Sequence, residues 1–243
     1  MRVKVCGMTV PAQVEALEEM GVSFAGFIFY PKSPRYVLRH MTTQQVKGFK
    51  NINKVGVFVN ANADEIINMV GECRLHMVQL HGDETPKLCE KIADYISVVK
   101  VFRIGEKENI EWKIRDYLDV CDMFLFDTAG AAFGGTGKKF DWNLLKDVKV
   151  GKPYFLSGGI EPGDASIIKE FSETTAGKAL FALDINSKFE TSPGMKDLPK
   201  IESFLKSLKE LWKQQINGIV GPMHMVIMAG LAGPIFPKCF TGM

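Results

Sequence analysis

A chain of 243 residues with 24% charged and 46% hydrophobic side chains has room for one full core and the make-up of an ordinary globular protein. A formal net charge of +2 without a basic stripe argues against a nucleic-acid partner. The five cysteines are scattered and include no CxxC pair, which indicates neither a disulfide framework nor a zinc cluster and fits a reducing, cytoplasmic setting.

The chain enters a strand-like run at residue 2 and lacks the charged-then-apolar layout of a secretion signal. Short apolar runs then recur at 3–6, 24–29, 55–59, 77–80, 97–102, 123–126, 154–156 and 179–183, each followed by a helical pattern. Continuous apolarity without alternation suits strands buried on both faces. Such short runs also fit pieces of buried helix, and the flanks decide between the two. Thr9 as N-cap and Pro11 in the first turn open one helix, which Gly21 closes. Asn62 opens a second, running to Gly71, and the Asp83-Glu84-Thr85-Pro86 segment opens a third. Two more are predicted over 106–118 and 164–171, and a last one over 201–212, where Leu205, Leu208 and Trp212 fall at helical spacing.

Eight strands alternating with helices predict an all-parallel sheet covered on its faces. The count of eight, and polar and glycine motifs after many strands rather than at one switch point, favour a (β/α)8 barrel over a doubly wound sheet. Residues 1–212 form this single domain. Residues 213–243 are an extension, and 214–237 contain no Asp, Glu, Lys or Arg. The stretch is long enough to cross a bilayer, but Gly218, Gly221, Pro222, Gly230, Gly233 and Pro234 make poor helix. A packed extension is favoured over an oligomer contact or a membrane tether.

In such a barrel the chemistry sits at the C-terminal strand ends. The exits read Cys6-Gly7-Met8-Thr9 after strand one and Tyr30-Pro31-Lys32-Ser33-Pro34-Arg35 after strand two. Strand four is followed by His81-Gly82-Asp83, and strand six by Asp127-Thr128 with Gly134-Gly135-Thr136-Gly137. Ser157-Gly158-Gly159-Ile160 follows strand seven, and Asp184-Ile185-Asn186-Ser187 follows strand eight. Gly158 and Gly159 let backbone N–H groups approach an anion, and Asn186 and Ser187 start a short extra helix; together they mark a phosphate site. Asp127 ends an apolar run, which suits a general acid, or else a structural carboxylate capping the loop. Cys6 is a base if its thiolate is favoured and a small hydrophobe if it is not. Arg35 offers a planar fork to a carboxylate or phosphate, or is a solvated surface charge. His81 lines the pocket or is a structural histidine in a turn.

Taken together, these segments resemble the phosphoribosylanthranilate isomerase family. The resemblance is carried by Lys4-Val5-Cys6-Gly7-Met8-Thr9, Gly26-Phe27-Ile28-Phe29-Tyr30-Pro31-Lys32-Ser33-Pro34-Arg35, Val55-Gly56-Val57-Phe58-Val59-Asn60 and Val78-Gln79-Leu80-His81-Gly82. It continues through Phe126-Asp127-Thr128, Gly134-Gly135-Thr136-Gly137-Lys138, Leu156-Ser157-Gly158-Gly159-Ile160 and Ser192-Pro193-Gly194-Met195-Lys196-Asp197, covering about residues 2–212. It implies an Amadori rearrangement of N-(5-phosphoribosyl)anthranilate in tryptophan biosynthesis, with Asp127 as general acid and Cys6 as general base. It also implies that Arg35 holds the anthranilate carboxylate, that Gly158, Gly159, Asn186 and Ser187 hold the phosphate, and that Asp184 touches the ligand. No metal or redox cofactor is expected, because only protons move. The expected partner is a small sugar-phosphate, with no nucleic acid and no membrane, for a cytoplasmic monomer or homodimer. Two rival phosphate-binding barrels, indole-3-glycerol-phosphate synthase and the histidine-pathway isomerase, fit less well, since Cys6 stands where the latter needs an aspartate. Two departures stand out: the extension beyond residue 213, and Asp-Ile-Asn-Ser where many relatives carry a serine pair.

Overall fold

A computed structural model describes residues 1–105, 108–128 and 141–219, with side chains to Lys213. Eight strands close into a parallel barrel in chain order: β1 (Arg2–Cys6), β2 (Phe24–Ile28), β3 (Asn53–Phe58), β4 (Met77–Leu80), β5 (Ser97–Ile104), β6 (Met123–Thr128), β7 (Tyr154–Leu156) and β8 (Leu180–Ile185). β8 pairs back onto β1 with Lys4 opposite Asp184. The helices between and after them are α1 (Pro11–Glu19), α2 (Thr43–Gly48), α3 (Ala63–Cys73), α4 (Pro86–Ala93), α5 (Ile110–Ile114), α6 (Ala165–Ser172) and α7 (Leu198–Ile219). A two-stranded hairpin, β9 (Glu190–Ser192) and β10 (Met195–Lys196), lies between β8 and α7.

The eight apolar runs all become barrel strands, and side-chain parity explains why they read as continuous. Successive strand residues point to opposite faces. One parity, including Val5, Ala25, Phe27, Val78, Leu80, Phe124, Phe126, Leu156 and Leu183, packs outward beneath the helices. The other points into the barrel, where Phe24, Val55, Met77, Val99, Met123, Phe155 and Ala182 form a separate apolar cluster. Phe155 sits edge-on to Phe24 with ring centroids 5.6 Å apart and to Phe181 at 5.4 Å. Two residues further along the same inward faces, the composition turns polar: Gln79 follows Met77, Asp184 follows Ala182, and Asp127 follows Leu125. The apolar layer is therefore a floor, and the polar groups are carried at the C-terminal mouth.

The helix ends partly follow local chemistry. Asn62 caps α3 in a reciprocal box, its side chain accepting from Glu65 N at 3.0 Å while its own N–H donates to the Glu65 carboxylate at 3.1 Å. Gly71 lies inside α3 rather than closing it; the helix runs to Cys73, packed in the core, and Arg74 takes the left-handed cap at φ 49°. Thr85 caps α4 by accepting from Leu88 N at 3.3 Å. Thr9 does not cap α1. Val10 occupies that position without a side-chain bond, and Thr9 Oγ1 instead donates to Gly194 O at 2.6 Å, a tertiary partner displacing the local one. The helix expected over 106–118 is short. Asn109 caps it through Trp112 N, α5 ends at Ile114, and a 3-10 turn follows over Arg115–Tyr117; residues 106 and 107 lie outside the described residues. α7 begins three residues earlier and runs further than the 201–212 pattern. The rest of the extension, 220–243, and the Gly134-Gly135-Thr136-Gly137 motif lie outside the described residues. Among those described, no helix is long and apolar enough to cross a membrane.

Candidate active site

The strand ends of β1, β4, β6, β7 and β8 open onto one pocket, lined among others by Cys6, Gln79, His81, Asp127, Ser157, Gly159, Asp184, Asn186 and Ser187. Cys6 is the last residue of β1. The next residue, Gly7, has φ +76°, and a Cβ there would lie 2.6 Å from Arg35 Cδ and 3.1 Å from Asn186 Oδ1. Glycine at this position thus supplies both the left-handed turn and the space for the second exit loop.

Beneath the sulfur, two positions back on the same inward face, Lys4 is fully buried and its Nζ donates to Asp184 Oδ1 at 2.9 Å. Lys4 and Cys6 also interact electrostatically. A Cβ on Gly26 would meet Cys6 Sγ at 2.9 Å and Lys4 Cε at 3.1 Å, so the neighbouring strand is bare where these two side chains lie. Burial pushes the Cys6 thiol above its ordinary pKa; Lys4 and, more weakly, Lys196 oppose that, while Asp184 adds to it. Burial also works against the Lys4 ammonium, but Asp184 and Cys6 outweigh it and hold the ammonium charged above its ordinary range.

Asp127 stands at the end of β6. Its Oδ1 accepts from Thr128 N at 2.8 Å, and its Oδ2 lies 3.4 Å from His81 Nε2. His81 Nδ1 is in turn 3.0 Å from Gln79 Nε2. The loop that carries His81 is held from below by a buried pair, Lys100 Nζ to Glu84 Oε2 at 2.9 Å. The same Glu84 carboxylate accepts from Gly82 N at 2.9 Å and Asn60 N at 2.9 Å. His81 therefore lines the pocket beside Asp127 and is not only a turn residue.

Arg35 is not a solvated charge: its side chain is 12% exposed, and Nε and Nη2 both donate to Glu190, the closest contact being 2.6 Å. Glu190, on β9, is 3% exposed and accepts from Lys196 Nζ at 2.7 Å and from Gly194 N at 3.0 Å. Lys196 Nζ also donates to Asn186 Oδ1 at 2.8 Å. Burial pushes the Glu190 carboxyl up, but Arg35 and Lys196 together outweigh it and hold it below the usual carboxylate range. Gly158 and Gly159 take φ +87° and +74°, the conformations expected of a side-chain-free anion loop. Ser187 begins a single 3-10 turn, Ser187–Phe189, in place of the short helix anticipated there.

The structure thus brings Cys6, Asp127, Gly159, Asp184, Asn186 and Ser187 onto one pocket, with Arg35 anchored next to Gly7 and Gly158 between the pocket-lining Ser157 and Gly159. Three members escaped functional notice in the sequence. Lys4 was visible as a charge inside an apolar strand at the parity of Cys6. Lys196 lay in a recognised stretch without a role. Glu190 gives no periodic signal, because its strand is three residues long. Among the described residues no three His, Cys, Asp or Glu side chains converge as metal ligands.

A model of the N-(5'-phosphoribosyl)anthranilate (PRA) isomerase family matches residues 3–207. The chain belongs to that family. The N-(5'-phosphoribosyl)anthranilate isomerase of Phocaeicola vulgatus is 40% identical over 212 residues, covering 86% of this chain and 98% of that protein. The crystal structure of the isomerase from Thermotoga maritima superposes with TM-score 0.73 at 32% identity, over 86% of this chain and 99% of the other. Another isomerase structure, in complex with reduced 1-(o-carboxyphenylamino)-1-deoxyribulose 5-phosphate, gives TM-score 0.70 at 30% identity, over 86% and 99%. The activity is PRA isomerisation, an Amadori rearrangement in tryptophan biosynthesis.

Proposed function

We propose that Cys6 and Asp127 are the proton-transfer pair of this isomerase. Asp127 protonates the furanose ring oxygen as the C1–O bond breaks, giving the open-chain Schiff base. The thiolate of Cys6 removes the proton from C2, and the electron pair moves toward the iminium nitrogen. The resulting enolamine tautomerises to the ketone, 1-(2-carboxyphenylamino)-1-deoxyribulose 5-phosphate. Each positioned group contributes about 10²–10⁴-fold. What supports this reading is that β1 and β6, far apart around the ring, present a thiol and a carboxyl to the same pocket.

Arg35 receives the anthranilate carboxylate: Glu190 occupies Nε and Nη2 and leaves Nη1 without a hydrogen bond among the described residues. The phosphate meets Gly158 and Gly159 through the backbone and Asn186 and Ser187 at the start of the 3-10 turn, while Asp184 contacts the sugar. Residues 1–212 carry the activity, and 213–243 are an appendage to it. The enzyme works in the cytoplasm as a monomer or homodimer on this small sugar-phosphate alone.

Cys6→Ala and Asp127→Asn are expected to lose at least a hundredfold in kcat while still binding reduced product analogue by calorimetry. Normal turnover by both variants would remove the assignment.

A further inference from the structure

Five buried or largely buried charges surround Cys6 on one side of the pocket. Lys4 is fully buried on β1, and Lys196 on β10 has no exposed side-chain surface. Each is held by one carboxylate, Lys4 by Asp184 at 2.9 Å and Lys196 by Glu190 at 2.7 Å, and Glu190 is shared with Arg35. Three positive groups thus stand against two negative ones. Asp127 and His81 line the same pocket. Without substrate, and with Cys6 as a thiol, these five groups carry one uncompensated positive charge. With Cys6 as a thiolate the set is neutral.

Stability is a weak reason for this arrangement. A buried ion pair is often no better than apolar side chains of the same volume, and one layer below, the same barrel interior is built from Val55, Met77, Val99 and Phe155. We propose that Lys4 and Lys196 are positioning residues that place two buried positive charges near Cys6, Lys4 along the same strand face and Lys196 by way of Asn186 beside Gly7, and thereby favour its ionised form. The inference rests on the reading of Cys6 as the general base and deepens it. Lys4 acts from below, on the same strand face. Lys196 acts from the side, through the hairpin that also fixes Asn186 and, by way of Glu190, Arg35. The two arms differ in one respect. Removing Lys196 leaves Glu190 paired with Arg35, whereas removing Lys4 strands Asp184.

The test is site-resolved alkylation of Cys6 by iodoacetamide between pH 6 and 11.5, read by mass spectrometry of its peptide, in the wild type, Lys4→Met and Lys196→Met, with folding checked by circular dichroism at each pH. Both lysine variants are expected to move the alkylation midpoint upward by about one pH unit, a tenfold loss of thiolate at a given pH below the midpoint. The rising limb of kcat/KM against pH should move with it. Should Lys4→Met fail to fold, Lys196→Met decides alone. A midpoint within 0.3 unit of wild type in the folded variants would overturn the proposal. Cys6→Ala separates the two readings: if it turns over normally, Cys6 is not the base and the lysines have no catalytic purpose, whereas a hundredfold loss beside an unmoved midpoint overturns only the role of the lysines.

Discussion

Gly7 holds φ +76°, and a Cβ there would lie 2.6 Å from Arg35 Cδ, so a methyl group meets backbone strain and a pinned guanidinium at once. Gly7→Ala is expected to cost about 1–3 kcal/mol of stability, measured by urea unfolding, and to raise KM, because Arg35 must move to admit the new atom. Glu190 offers a pH-dependent counterpart. Its carboxyl is held below the usual range by Arg35 and Lys196, so the stability it contributes is complete above its unfolded pKa of about 4.3 and is lost as pH falls through the lower folded value. Thermal denaturation between pH 2 and 5 should show Glu190→Gln losing less stability on acidification than the wild type. The same variant should raise KM for substrate more than it lowers kcat, since it loosens Arg35 and leaves Cys6 and Asp127 in place. An unchanged KM would remove Glu190 from substrate positioning.

Among the elements, strands were easier to read than helix ends, and for a physical reason. A strand with helices on one face and barrel interior on the other buries both parities, so a run such as 123–126 is apolar throughout and bounded only by its turns. Helix ends depend on which partner a side chain finds. Asn62 and Thr85 found their own helices, in segments legible as helix starts; Thr9, the expected cap, found Gly194, 185 positions away. α2 was not anticipated: it is six residues long, with Val46 as its buried residue, although Thr42 and Gln45 form a local capping box at its start. The site divides similarly. Cys6, Asp127, Asp184 and the two glycines occupy strand exits that the barrel order alone marks. The link from Arg35 to Glu190 joins residues 155 apart through a three-residue strand, and no local pattern encodes it. Within the floor of the barrel, Phe155→Ala removes a ring packed against both Phe24 and Phe181. It should destabilise the fold by about 3–5 kcal/mol in chemical denaturation, while the mouth, two residues further up each strand, keeps its geometry in the folded fraction.

For the whole molecule, the barrel and the extension are separable in expectation. α7 ends at Ile219 and packs through Ile201, Phe204 and Leu208. A chain truncated after residue 219 keeps every group in the site and should retain full kcat/KM and an unchanged Tm by calorimetry. A large loss of either would make 220–243 part of the working enzyme. The ring itself has a further implication. Lys4 faces Asp184 only because the last strand docks beside the first, and Lys196 is held at Asn186, on the exit of that same last strand. The electrostatic surroundings of the reactive sulfur are thus completed by the most distant strand pairing among the described residues. During refolding from denaturant, turnover should consequently return later than far-ultraviolet ellipticity, and a nascent polypeptide still lacking its final strand should be catalytically silent however much helix it has formed.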